Sequence, residues 1–223
     1  PACFYAHVDD RNKHEEIANF LPTSDVDFFA GAGLKYFNMR KDGKNLLKTF
    51  EENGFIIETE SLRDFESAEK LGFLLAPTSM PTMLEGRGNF LQEASKLALK
   101  RLTNTNGFFL MVEGSQVDWG GHDNDADYLI AELIDLDNTL GDILDFSEAD
   151  GETLVVVTGD HETGGFTLAA KDGDYNTIVP TFSTKNHSAT MVPVFAFGPG
   201  AENFGGIYEN TEIFHKIMAL LSE

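Results

Sequence analysis

Hydrophobic residues along this chain fall into two kinds of run. Short, nearly unbroken apolar stretches predict strands near Phe4–Val8, Val26–Ala30, Phe55–Glu58, Phe73–Leu75, Phe108–Glu113, Thr153–Thr158 and Val192–Phe197. Between them the spacing turns helical. Lys44–Glu52 presents Leu46, Leu47 and Phe50 on one face and stops at Gly54. Phe90–Leu102 follows Asn89 as a cap, with Leu91, Ala94, Ala98 and Leu102 in register. Asp125–Phe146 predicts the longest helix, with Ile130, Leu133, Ile134, Leu140, Ile143 and Leu144 as its apolar stripe, and Thr211–Leu221 follows Asn210 and buries Phe214, Ile217 and Leu221. Strands with little polar alternation are covered on both faces. The pattern therefore predicts an α/β fold, with a largely parallel central sheet and helices on both faces. There is no internal repeat. The segment Ala76–Gly88, rich in Pro, Gly and Met, reads as a surface loop or a subunit contact.

Length and charge narrow the partners. The 223 residues fit a single α/β domain, 1–223, and 42% hydrophobic with 11% aromatic residues marks a globular chain. No apolar run is long enough to span a bilayer, and no signal segment is present at the start. The first residue is Pro1, so the sequence reads as processed or cut from a longer protein. A net charge of −21, from 37 acidic and 16 basic residues, argues against nucleic acid and anionic membrane surfaces as partners. It also means that an anionic substrate needs strong local positive charge. Cys3 is the only cysteine, which excludes an intrachain disulfide and a thiolate metal site. Asn186-His187-Ser188 matches a glycosylation sequon, idle if His187 is a buried ligand.

Candidate chemistry sits where strands end. Glu113, Asp118 and His122 lie in FFLMVEGSQVDWGGH, Asp160 and His161 in TLVVVTGDHETGG, and His187 in KNHSATMVPVFAFGPG. Carboxylate and imidazole together suit zinc, and two clusters suit a pair of zinc ions in metal-assisted hydrolysis. Asp118 and His122, four apart, reach one ion from a turn or helix start; the plain alternative is a polar turn. Asp160-His161 closes an apolar strand, where α/β sheets bind ligands, and the alternative is a capped strand end. His187 draws its weight from these partners, whereas His7, His14 and His215 read as structural or surface residues. Asp123–Asp127 resembles the opening of a calcium loop, but Tyr128 replaces the required glycine and Ile134 the required glutamate. Arg11, after the first predicted strand, has the chemistry to clamp phosphate oxygens, or is one more surface arginine. Trp119 packs, or lines a substrate mouth beside Asp118.

Taken in order, FYAHVDDR, FFLMVEGSQVDWGGH, LVVVTGDHETGG and NHSATMVPVFAFGPGA resemble the alkaline phosphatase family through most of the chain. The resemblance implies that Asp118, His122 and His187 are ligands of a first zinc, Asp160 and His161 of a second, and Glu113 of a magnesium site, with Arg11 on the phosphoryl oxygens. Trp119 stands where some members carry lysine. The implied activity is hydrolysis of phosphate monoesters through a phosphoserine intermediate. The serine, an aspartate bridging the second zinc and magnesium, and the remaining magnesium ligands fall upstream of the segment that matches Pro1. The chain therefore resembles the C-terminal part of a larger catalytic domain whose N-terminal strands are missing. It is expected to be inactive alone and complete only with that segment, in the same or another chain. Homodimers and periplasmic or secreted location follow from the same resemblance.

Two rival readings remain at this stage. One is a related superfamily phosphodiesterase or phosphomutase on the same two-metal scaffold. The other is a non-catalytic metal-binding fragment or domain derived from this fold, which the absent nucleophile favours and the retained ligands disfavour.

Overall fold

In this computed structural model, which describes residues 1–104 and 106–221, contacts divide the chain into two units, Pro1–Glu113 and Gly114–Glu223. The first unit runs α1 (His14–Ala18), β1 (Phe28–Gly31), α2 (Lys35–Asn38), α3 (Leu46–Glu52), β2 (Phe55–Glu58), β3 (Lys70–Leu74) and α4 (Phe90–Leu102). Its three strands pair in parallel in the order β1-β3-β2.

Strand periodicity explains how both sheet faces are covered. Leu71 and Phe73 of β3 share one face with Phe28, Ala30 and Ile56, and Leu97 of α4 packs on that side. Leu74, Phe29, Phe55 and Ile57 point the other way, toward Phe37 of α2 and Leu46 and Phe50 of α3. Phe50 has no solvent exposure, and its ring meets those of Phe29, Phe37 and Phe55 at 5.1–5.4 Å between centroids. Burying such a side chain is worth about 1.5–3 kcal/mol. Asn45 starts α3 by accepting a hydrogen bond from the Leu47 N–H at 3.1 Å. The α/β reading with a parallel sheet and helices on both faces thus holds.

The second unit contains α5 (Gln116–Asp123), α6 (Ala126–Asp150), β4 (Val155–Thr158), β5 (Glu162–Thr163), β6 (Thr167–Lys171), β7 (Asp174–Thr181), β8 (His187–Ser188), β9 (Val194–Phe197) and α7 (Glu212–Leu220). Among its described residues pairing is antiparallel, in three ladders, β4 with β9, β5 with β8 and β6 with β7. The parallel prediction therefore fails for Thr153–Thr158 and Val192–Phe197. Antiparallel partners tolerate one solvated face, and Phe195 and Phe197 stay exposed.

Two predicted strands form no ladder among the described residues. Residues 2–4 make a 3-10 turn, closed by Phe4 N–H to the Pro1 carbonyl at 2.9 Å. Residues 108–113 join no β ladder, and Phe109 and Met111 are exposed. An apolar sequence supplies propensity, but a strand needs a partner edge.

The buried face of α6 also departs from expectation. Ile130, Leu133 and Ile134 are 36–55% exposed, while Tyr128, Glu132, Asp135 and Thr139 are buried. The cause is the close approach of α5. A Cβ at Gly120 would sit 2.7 Å from the Leu129 backbone, and Tyr128 donates to Gln116 Oε1 at 2.6 Å. The register of α6 is set by that seam rather than by its aliphatic stripe. The helix ends at Gly151, whose left-handed conformation (φ 74°) and N–H bond to Ser147 close the last turn. Residues 76–88 form an irregular connection between β3 and α4. No described helix is long and apolar enough to cross a membrane.

Candidate metal centre

Four of the expected ligands come together in the second unit. Asp118 and His122 lie one turn apart on α5 and so share a face. His187 begins β8, directly opposite Thr163 of β5 in the antiparallel register. Glycine brings these pieces close. A Cβ at Gly121 would sit 2.9 Å from the Thr163 carbonyl oxygen, so only a bare backbone lets α5 approach β5 this far.

The donor atoms then converge. His187 Nε2 is 3.2 Å from His122 Nε2 and 3.8 Å from Asp118 Oδ1, and His122 Nε2 is 3.4 Å from the same oxygen. Ligand atoms about 2.0–2.2 Å from a tetrahedral zinc stand about 3.3–3.6 Å apart. The three separations fit one ion.

Proton positions point the same way. His122 Nδ1 is 2.7 Å from the Lys185 carbonyl oxygen, which can only accept, so Nδ1 carries the hydrogen. In the neutral ring the lone pair is thereby left on Nε2, the atom 3.2 Å from His187 Nε2 and 3.4 Å from Asp118 Oδ1. A carbonyl that fixes the tautomer in this way is the usual companion of a metal-bound histidine.

His161 joins from the loop after β4. Its ring stacks on His187 at 3.5 Å between centroids, tilted by 20°. Asp118, His161 and His187 each offer a ligand atom within 4.8 Å of the others, so two triads share Asp118 and His187. The exposed Asp160 places Oδ2 3.3 Å from His161 Nε2. Glu162 turns away from the ligands and clamps the loop. It accepts from the Ser188 hydroxyl and from Gly165 N–H at 2.7 Å and Phe166 N–H at 3.3 Å, and these bonds, Ser188 first, hold its carboxyl below the usual glutamate range. Trp119, next to Asp118, is 42% exposed.

The remaining candidates belong to the first unit. Glu113 pairs with the terminal amine of Pro1 at 3.1 Å. Arg11 is exposed, in a turn where Asp10 accepts from Asn12 N–H at 2.9 Å, a bond that lowers the Asp10 pKa. Thr163 and Lys185 are the residues that sequence reasoning missed. The Thr163 position left a partial trace, because it follows His161 by two residues in the DHET run. The carbonyl of Lys185 left no trace in the sequence.

An α/β scaffold that gathers carboxylate and neutral imidazole donors has the ligand make-up of metal-dependent hydrolases. The match to known proteins makes this specific: the family model described as alkaline phosphatase covers residues 1–181 and 171–222, and the chain belongs to that family. It is 33% identical over 96% of its length to alkaline phosphatase 4 of Bacillus subtilis, and spans 48% of that relative. It superposes over its whole length on alkaline phosphatase from the Antarctic bacterium TAB5, with TM-score 0.97 and 55% identity, covering 68% of that chain. A variant of the TAB5 enzyme, with 56% identity and TM-score 0.96, was solved with magnesium in its M3 site; again all of this chain and 68% of the relative match. The chain thus spans about half the length of the Bacillus relative.

Proposed function

We propose that this chain carries the zinc-ligand part of a phosphate-monoester hydrolase of the alkaline phosphatase type. The observation that carries the reading is the convergence of His122 Nε2, His187 Nε2 and Asp118 Oδ1 within 3.2–3.8 Å. The His122 lone pair and the Asp118 carboxylate converge with His187 Nε2, and the spacing of the three atoms suits zinc. Asp118, His122 and His187 would hold a first zinc, and Asp160 and His161 two positions of a second. Glu113 would give a magnesium site one hard carboxylate ligand, in keeping with the magnesium bound by the TAB5 variant. Bound zinc in such sites lowers the pKa of a coordinated hydroxyl and offsets charge on phosphoryl oxygens.

The chain's own residues do the holding and orienting. The Lys185 carbonyl keeps His122 in the tautomer that can bind a metal. Arg11 is the residue assigned to phosphate oxygens, through its paired N–H donors. Trp119 is assigned to the substrate mouth. The nucleophile is a serine outside these 223 residues, phosphorylated in passing, so the isolated chain turns over nothing. The charge of the metal ions, with Arg11, offsets the strongly acidic surface and attracts the phosphate. The complete enzyme is a homodimer exported to the periplasm or medium.

The experiment is to join this chain to the upstream segment that its relatives possess and compare it with the chain alone. Zinc-dependent phosphate release from a monoester in preference to a diester is expected from the longer protein only. Turnover by the rigorously purified 223-residue chain, or a preference for diesters, would contradict the proposal.

A further inference from the structure

We infer that Thr163 is a positioning residue whose single hydroxyl group couples the two halves of the metal centre. The inference rests on the metal-centre reading above and adds to it a residue that ligates nothing.

Hydrogen bookkeeping makes the case. Thr163 Oγ1 lies 2.5 Å from Asp118 Oδ1 and 3.2 Å from His161 Nδ1. An ionised carboxylate only accepts, so the one hydroxyl hydrogen goes to Asp118. Oγ1 then has only lone pairs to offer His161, and the bond exists only if His161 Nδ1 carries the hydrogen. In the neutral ring this leaves the lone pair on Nε2, the atom 3.3 Å from Asp160 Oδ2. One side chain therefore holds the Asp118 carboxylate in place for the first triad and selects the ligating tautomer of His161 for the second pair.

The backbone fixes Thr163 for this task. The short β5–β8 ladder sets it opposite His187, it follows His161 by two residues and contacts that ring, and Gly121 lets α5 bring Asp118 within reach. Valine has nearly the same shape and suits a strand. Thr163→Val therefore removes both hydrogen bonds and leaves the packing, whereas Thr163→Ser restores the hydroxyl without the methyl group.

The test uses the whole 223-residue chain with nitrogen-15-labelled histidine. Long-range nitrogen–proton spectra of the zinc-free protein are recorded well above pH ~6.5, where histidine is neutral. His161 is expected as the Nδ1–H tautomer in wild type and Thr163→Ser, and as a mixture or the Nε2–H form in Thr163→Val. Zinc titration is expected to show binding about 10–100-fold weaker in Thr163→Val, the usual cost of a lost outer hydrogen bond, and near wild type in Thr163→Ser. A Thr163→Val protein with the wild-type tautomer and zinc affinity overturns the inference. So does a Thr163→Ser protein as impaired as the valine variant, because the methyl contact would then be responsible. Zinc binding by wild type that the valine leaves untouched removes only the role of Thr163. A wild-type chain that takes no zinc removes the metal centre and the coupling with it.

Discussion

In the first unit the largest fully buried side chains are Phe50, Phe73, Leu71 and Leu74; along α6 in the second the least exposed are Thr139, Ser147, Glu132 and Asp135. The first set is held by apolar burial around a parallel sheet, which tolerates any hydrophobic residue of about the right volume. The second depends on particular atoms at particular distances. Bonds such as Tyr128 to Gln116 and Ser147 to the Thr153 carbonyl at 2.6 Å tie α6 to its surroundings. The apolar core makes a scaffold, whereas the polar seam places α5, and α5 places Asp118 and His122. Precision in the candidate centre comes from polar contacts and bare glycine, not from hydrophobic mass.

Substitutions that attack each region separately would sharpen this contrast. Phe50→Ala should have the largest effect, because it empties a site touched by three rings. A loss of about 3–5 kcal/mol of unfolding free energy is expected, read from denaturant titration; a loss no greater than that of a surface change would break the picture of the first unit. Gly120→Ala should come next. Its Cβ would press on the Leu129 backbone at 2.7 Å, an overpacking that costs about 1–3 kcal/mol and should weaken zinc binding by shifting α5. Unchanged stability with unchanged zinc affinity would show that the α5–α6 seam does not set the site.

The smallest expected effect concerns pH. Arg40, whose side chain is almost fully buried, donates to Asp42 at 2.8 and 3.0 Å and, ahead of the Lys44 N–H, holds the Asp42 carboxyl at about 2 against an ordinary 3.8. A carboxyl with a depressed folded pKa stabilises fully above its unfolded pKa. That contribution is lost as pH falls through the folded value. The urea midpoint should therefore decline between about pH 4 and pH 2, and Asp42→Asn should flatten that part of the profile. An identical profile in the variant would show that the pair does not contribute.

Much of the scaffold was legible in the sequence. Phe55–Glu58 and Phe90–Leu102 stand where periodicity put them, because their partners lie within this chain and agree with local propensity. Phe4–Val8 and Phe108–Glu113 carry strand-like sequence but join no ladder among the described residues, and periodicity cannot supply a strand edge. The β6–β7 hairpin was overlooked, although Asp172-Gly173, both with positive φ, is a strong turn signal between two strands. The aliphatic stripe of α6 misled for a different reason: close helix contact through Gly120 outweighed hydrophobic pattern. At the candidate centre the residue types and spacings of Asp118, His122, His161 and His187 announced metal chemistry. The supporting atoms, Thr163 Oγ1 and the Lys185 carbonyl, depend on tertiary contacts between segments far apart in sequence.

The most direct test of the proposed centre is the zinc content of the purified 223-residue chain after dialysis against metal-free buffer, alongside His187→Ala. About one tightly held zinc per chain is expected from three converging protein ligands, and its loss from the variant. No retained zinc in wild type, or the same zinc content in His187→Ala, would contradict a centre built on Asp118, His122 and His187.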